Sequence, residues 1–188
     1  MFLAYSCLGW SGCCNMFGVF FARDEMGLSL DLIGKVGAST SVILILLTYP
    51  FGAVLDRWGS HITMIANLLV FLASGLLMFF FANSKTSYIV WSVIRTIPLA
   101  LAGLALMKWT VEVYPRDRYG QFGSAGALFS SIGGMVLGPL AGWFIDWVKI
   151  YRYLLVWQAA FSLLGVVSAL VVYRRWKALG GPAHYQAP

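Results

Sequence analysis

Two short charged stretches carry most of the chemistry open to this sequence. Residues 49–63 read Tyr-Pro-Phe-Gly-Ala-Val-Leu-Asp-Arg-Trp-Gly-Ser-His-Ile-Thr, centred on Gly52-x-x-x-Asp56-Arg57-x-Gly59. About 60 residues further on stands Glu112-x-x-Pro115-Arg116-x-Arg118-x-Gly120. Opposite charges at the ends of apolar segments can pair and latch packed helices together. Gly52 permits close helix approach, and Gly59 permits a positive φ in a tight turn. Asp56 can accept from backbone N–H groups at a helix N-terminus, where the dipole favours an anion. Pro115 ends one helix and Gly120 opens a closely packed one. Either stretch alone also fits an ordinary interfacial turn.

A second set of residues could touch a solute. Arg95 is the charge set well inside an apolar segment. Arginine is costly in hydrocarbon, so it should face protein or water. One reading puts Arg95 in a cavity wall with Trp91, Ser92 and Thr96. The other lets it snorkel along its stem to the interface near Lys85. The first segment offers Tyr5, Ser6, Ser11 and Asn15. Asn15 is the strongest of these, because serine hydroxyls readily bond their own helix. Catalysis is not expected: the spans hold no paired carboxylates and no histidine cluster. His61 sits at a loop and His184 in the tail. Cys7, Cys13 and Cys14 read as small packing residues, with no metal or other cofactor implied.

The elements that position these residues follow from composition. The 188 residues are 60% hydrophobic and 11% charged, with mean hydropathy +0.80. Soluble domains carry about 25% charged residues. Residues 1–22, 36–55, 58–84, 119–145 and 153–173 contain no Asp, Glu, Lys or Arg, and 86–111 holds only Arg95 and Lys108. Each run can span a bilayer, which takes about 20 apolar residues. The expected fold is all-α and polytopic, with about six transmembrane helices over 2–22, 32–55, 61–82, 87–113, 119–146 and 152–175. A bundle over 1–177 would be followed by a short tail over 178–188. Strands of a membrane barrel would alternate in runs of about ten residues, and these do not. The net charge of +6 does not point to nucleic acid, because the cations sit singly or in pairs at segment ends. Residues 1–22 have no basic leader, so they read as a first span rather than a signal peptide. The chain starting inside a span suggests a piece of a longer protein, and its Gly-Gly-Pro ending resembles a natural C-terminus.

Six cations (Arg57, Arg116, Arg118, Arg174, Arg175, Lys177) share one side and five (Arg23, Lys35, Lys85, Lys149, Arg152) the other. The excess favours the first side, with both termini, as cytoplasmic. The third helix, apolar but for Asn67 and Ser74, is expected to face lipid. The fifth is glycine-rich, with Gly134, Gly138 and Gly142 four apart as a close-packing face.

The two charged stretches together resemble the signature loops of one six-helix half of a major facilitator transporter. The resemblance implies secondary transport of a small solute by alternating access, in a plasma (inner) membrane. Glu112 would pair with Arg57, and Asp56 would face Arg118 and the start of the fifth helix. Helices one, two, four and five would line the cavity, with three and six peripheral; Gln158 departs from that layout. The partners implied are the solute, the bilayer, and either a missing N-terminal half or a second copy. Gly120-Gln121-Phe122-Gly123, Gly142-Trp143-Phe144-Ile145-Asp146 and Trp157 look like the glycoside and sucrose-symporter branch, which implies a sugar. The alternatives are a structural subunit of another membrane complex or an inactive truncated fragment.

Overall fold

The computed structural model describes residues 2–181, except the Tyr5 side chain. Expectations for Tyr5, for His184 and for the tail beyond Gly181 lie outside them. Among the described residues the structure is helical, without strands. The helices are α1 (Phe2–Ser11), α2 (Leu30–Trp58), α3 (Ser60–Phe81), α4 (Lys85–Val113), α5 (Tyr119–Val148) and α6 (Leu154–Ala178). Five of them, α2 to α6, are unbroken helices long and apolar enough to cross a membrane.

The first segment is less regular than expected. After α1 it tightens into a 3-10 stretch (Gly12–Phe17), returns to α geometry (Gly18–Phe20) and ends in a π turn (Phe21–Glu25). Irregular turns inside a helix commonly mark functional positions. Asn15 lies in the 3-10 stretch.

Local signals set the other ends. The hydroxyls of Ser29 and Ser84 accept from Leu32 N and Ser87 N and cap α2 and α4. These caps start both helices two residues earlier than the charge pattern suggested. Gly59 alone connects α2 to α3. Its φ of 78° and ψ of 158° are conformations that a side chain strains. At the opposite end, Arg23 donates to the Asp24 carboxylate at 2.6 Å. That bond holds the Asp24 carboxyl below its usual range.

Packing follows the order α2, α4, α3, α6, α1, α5, with each helix against the next. α3 and α6 are the most enclosed helices, and α2 and α5 are the most exposed. α3 buries Met64, Asn67, Leu68, Phe71, Ser74 and Met78, and exposes Ile62, Leu69, Val70, Leu76 and Phe80. It therefore presents only one face outward. Asn67 and Ser74 point inward, as polar groups in a lipid-borne helix should.

The glycines of α5 are also placed differently. A Cβ at Gly134 or Gly138 would meet nothing within 4 Å, and one at Gly142 would touch only Phe17. The close approach is at Gly133, where a Cβ would fall 2.3 Å from the Trp10 indole. That ring donates from Nε1 to Ser130 O at 3.0 Å. The α1–α5 interface is thus an indole seated on a glycine.

Candidate functional site

Two clusters of polar side chains stand out. The first lies about 15 Å along α4 from Lys85, at the 1.5 Å rise of a helix. Arg95 does not snorkel to the interface. Its Nη2 donates to Gln158 Oε1 of α6 at 2.7 Å, and its Nη1 approaches Met78 Sδ at 3.9 Å. The guanidinium lies 4.8 Å from the centre of the Phe71 ring, within cation–π range. Gln158 Nε2 donates in turn to Asn15 Oδ1 at 2.5 Å. One hydrogen-bonded line therefore joins α4, α6 and the 3-10 stretch of the first segment.

This line borders a cavity of about 340 Å³. Its wall includes Asn15, Thr40, Tyr88, Ser92, Arg95 and Gln158. That volume is at the small end for ligand sites, which run from about 300 to 1,000 Å³. Thr96 also lines it, and its hydroxyl donates to Ser92 O while Ser92 donates to Tyr88 O. Both protons stay with the helix, so these hydroxyls offer only lone pairs to the cavity. Trp91 is placed elsewhere, half-buried against the apolar cluster of Cys14, Phe21, Met78 and Leu155. α5 contributes nothing to this wall, whereas α3 and α6 contribute Phe71 and Gln158.

The second cluster lies at the Gly59 end. Asp56 Oδ1 is 2.7 Å from Lys108 Nζ, which also donates to Leu55 O at 3.3 Å. Glu112 accepts from the Ser60 hydroxyl and lies 3.6 Å from His61 Nδ1. The expected pairs are therefore replaced: Asp56 meets Lys108 rather than Arg118, and Glu112 meets Ser60 and His61 rather than Arg57. Packing explains the exchange. α2 and α3 both run along α4, which carries Lys108 and Glu112 one turn apart. Arg118 follows Pro115 on the turn leading to α5, which packs on α1 instead. Arg118 faces Asp117 at 3.5 Å, and Arg57 is exposed. The carboxylate at a helix N-terminus is Glu112, beside the first residues of α3, where the dipole favours it. Gly52 has open space at its Cβ position, so no close approach occurs there within this unit.

Buried His61 stacks on Trp176 at 4.0 Å, with Trp109 and Tyr173 around it. His61, Tyr173 and Trp176, with Glu112, Pro115 and Lys177, border a larger cavity of about 940 Å³.

Sequence reasoning undervalued Gln158 and Lys108. Gln158 is a polar residue in an otherwise apolar span, which signals a partner. Lys108 stands four residues before Glu112 on one helical face.

No curated protein and no solved structure matches the chain. The Major Facilitator Superfamily profile matches residues 1–183, nearly the whole sequence. With apolar membrane-spanning helices around a polar-walled cavity, the chain belongs to the Major Facilitator Superfamily, a family of membrane transporters of small solutes.

Proposed function

We propose that this chain is one six-helix half of a secondary transporter, probing its solute with Arg95, Gln158 and Asn15. The observation that carries the reading is the hydrogen-bonded line from Arg95 through Gln158 to Asn15. It sets paired polar groups against a cavity inside an apolar bundle, where residues of this kind mark solute pathways. The large exposed faces of α2 and α5 suit contact with a second six-helix unit, either an N-terminal half or another copy. Rocking of two such units around a shared site is alternating access. The looser motifs around Gly120, Gly142 and Trp157 favour a sugar-like solute and the C-terminal half.

Asp56–Lys108 and Glu112–Ser60–His61 form the latch at the Gly59 end in this proposal. They tie α2, α3 and α4 together when that end is closed. The excess of cations there favours it as the cytoplasmic end, with Arg57, Arg116 and Arg118 at the surface. Gly52 and Pro115 act on backbone geometry, and Gly59 sets the turn.

The test is solute uptake by the assembled transporter in proteoliposomes. Gln158→Leu and Asn15→Leu should abolish uptake while leaving the protein folded in the membrane. Uptake at the wild-type rate in both variants would remove the cavity from the pathway. Asp56→Asn with Lys108→Met should alter the rate without altering solute affinity.

A further inference from the structure

We infer that the solute held at the Arg95 cavity carries an oxyanion, a carboxylate or a phosphate, bound by the Arg95 fork. The inference rests on reading that cavity as the solute site, and it names the chemistry of the solute.

The first argument is charge. All seven side-chain carboxylates of the sequence are among the described residues. The ion pairs place Asp24 with Arg23, Asp31 with Lys35, Asp56 with Lys108 and Asp117 with Arg118, while Glu112 accepts from Ser60 beside His61. Glu25 accepts from the backbone N–H of Arg152. None, Asp146 included, lies within ion-pair distance of Arg95, and the cavity wall contains no Asp or Glu. The guanidinium is always protonated. Its charge is met by an amide oxygen, an aromatic face and a thioether alone.

The second argument is hydrogen-bond direction. Arginine only donates, so the atom of Gln158 that meets it must be the carbonyl oxygen. The remaining Gln158 atom is then an N–H donor, and the Asn15 atom facing it must be an oxygen. Both amide carbonyls are thereby used inside the wall. What Asn15 and Arg95 have left to offer the cavity is N–H. Of the five guanidinium N–H groups one meets an oxygen, and the buried Nε–H has no partner. The cavity wall thus holds N–H donors on a guanidinium that no carboxylate faces. The Ser92 and Thr96 hydroxyls could receive the protons of a neutral polyol, but no neutral solute answers the charge of the guanidinium. A carboxylate or phosphate takes the fork in a bidentate contact and returns the missing charge.

The full 188-residue chain in lipid nanodiscs provides the test, with thermal unfolding followed at constant ionic strength. The probes are succinate, lactate, inorganic phosphate and glucose 6-phosphate, against neutral glucose and sucrose. A ligand that binds only the folded state raises the midpoint. At least one anionic probe should stabilise wild type, and Arg95→Met should weaken its binding about 10- to 150-fold, the range for hydrogen bonds to a charged group. Arg95→Lys should recover part of it, because the charge stays and the fork is lost. Phosphate and carboxylate probes separate the two oxyanions. Without ligand, Arg95→Met should melt near wild type, because loss of the Gln158 bond and the Phe71 contact is offset by removal of a charge lacking a counter-charge; this readout also checks folding.

Stabilisation by glucose or sucrose that survives Arg95→Met but is lost in Gln158→Leu would overturn the oxyanion and leave the cavity as the solute site. Stabilisation by none of the probes would overturn both. Anion stabilisation equal in wild type and Arg95→Met would overturn the role of the fork.

Discussion

The adjacent glycines Gly133 and Gly134 should respond to alanine with opposite signs. A Cβ at Gly133 would sit 2.3 to 2.4 Å from three atoms of the Trp10 indole. Ordinary contact begins near 3.4 Å, so the ring or the helix must move by about 1 Å. Trp10 has little freedom to yield. It is 8% exposed, bonded to Ser130 O, and packed against Phe129 and Phe161 at 5.4 and 6.3 Å between ring centres. Overpacking of this kind costs about 1–3 kcal/mol. Loss of the indole hydrogen bond adds about 1 kcal/mol, and the better helix propensity of alanine returns up to about 1 kcal/mol. The net expectation for Gly133→Ala is about 1–3 kcal/mol of destabilisation. Gly134 meets nothing, so Gly134→Ala should be neutral or stabilise by up to about 1 kcal/mol. Equilibrium unfolding in mixed detergent micelles reads both. Equal stabilities for the two variants, or a Gly133→Ala as stable as wild type, would refute the seating of Trp10 on α5.

Other perturbations probe the remaining contacts. Gly59→Ala should destabilise by about 1–3 kcal/mol in the same unfolding assay, because φ of 78° with ψ of 158° is essentially a glycine conformation. A double-mutant cycle on Asp56→Asn and Lys108→Met should give a coupling of only about 0.2–1 kcal/mol, since the Asp56 side chain is 79% exposed. A larger coupling would mean the pair is shielded from water. Gln158→Leu should cost about 1.5–3 kcal/mol from the bond to the guanidinium alone. Gln158→Glu should instead place a counter-charge beside Arg95 and reduce stabilisation by any anionic probe.

The spans were legible because charge is so costly in lipid that its absence marks them. Their order of burial was not. Both a lipid-facing and a protein-facing side of a membrane helix are apolar, so periodicity does not separate them. Hence the inward face of α3, which carries Asn67 and Ser74, was not told apart from its outward one. Gly59 was legible, because one glycine between two apolar runs must turn the chain. Gly133 and Gly134 are indistinguishable as letters; only the orientation of α5 against Trp10 separates them. The importance of Asp56 and Glu112 could be inferred from type and spacing, but their partners depend on which helices pack together. Arg95 demanded a partner, and Gln158 needed one for the same reason. Joining them across 63 residues required the α3–α4 and α3–α6 packing that brings both to Phe71.

The central claim is that the Arg95–Gln158–Asn15 wall binds the transported solute. Uptake of labelled succinate, phosphate, glucose 6-phosphate and glucose into proteoliposomes, by wild type and Gln158→Leu side by side, tests it most directly. The account predicts uptake of an anionic solute above that of empty vesicles, and its loss in Gln158→Leu. Uptake by Gln158→Leu equal to wild type would contradict it.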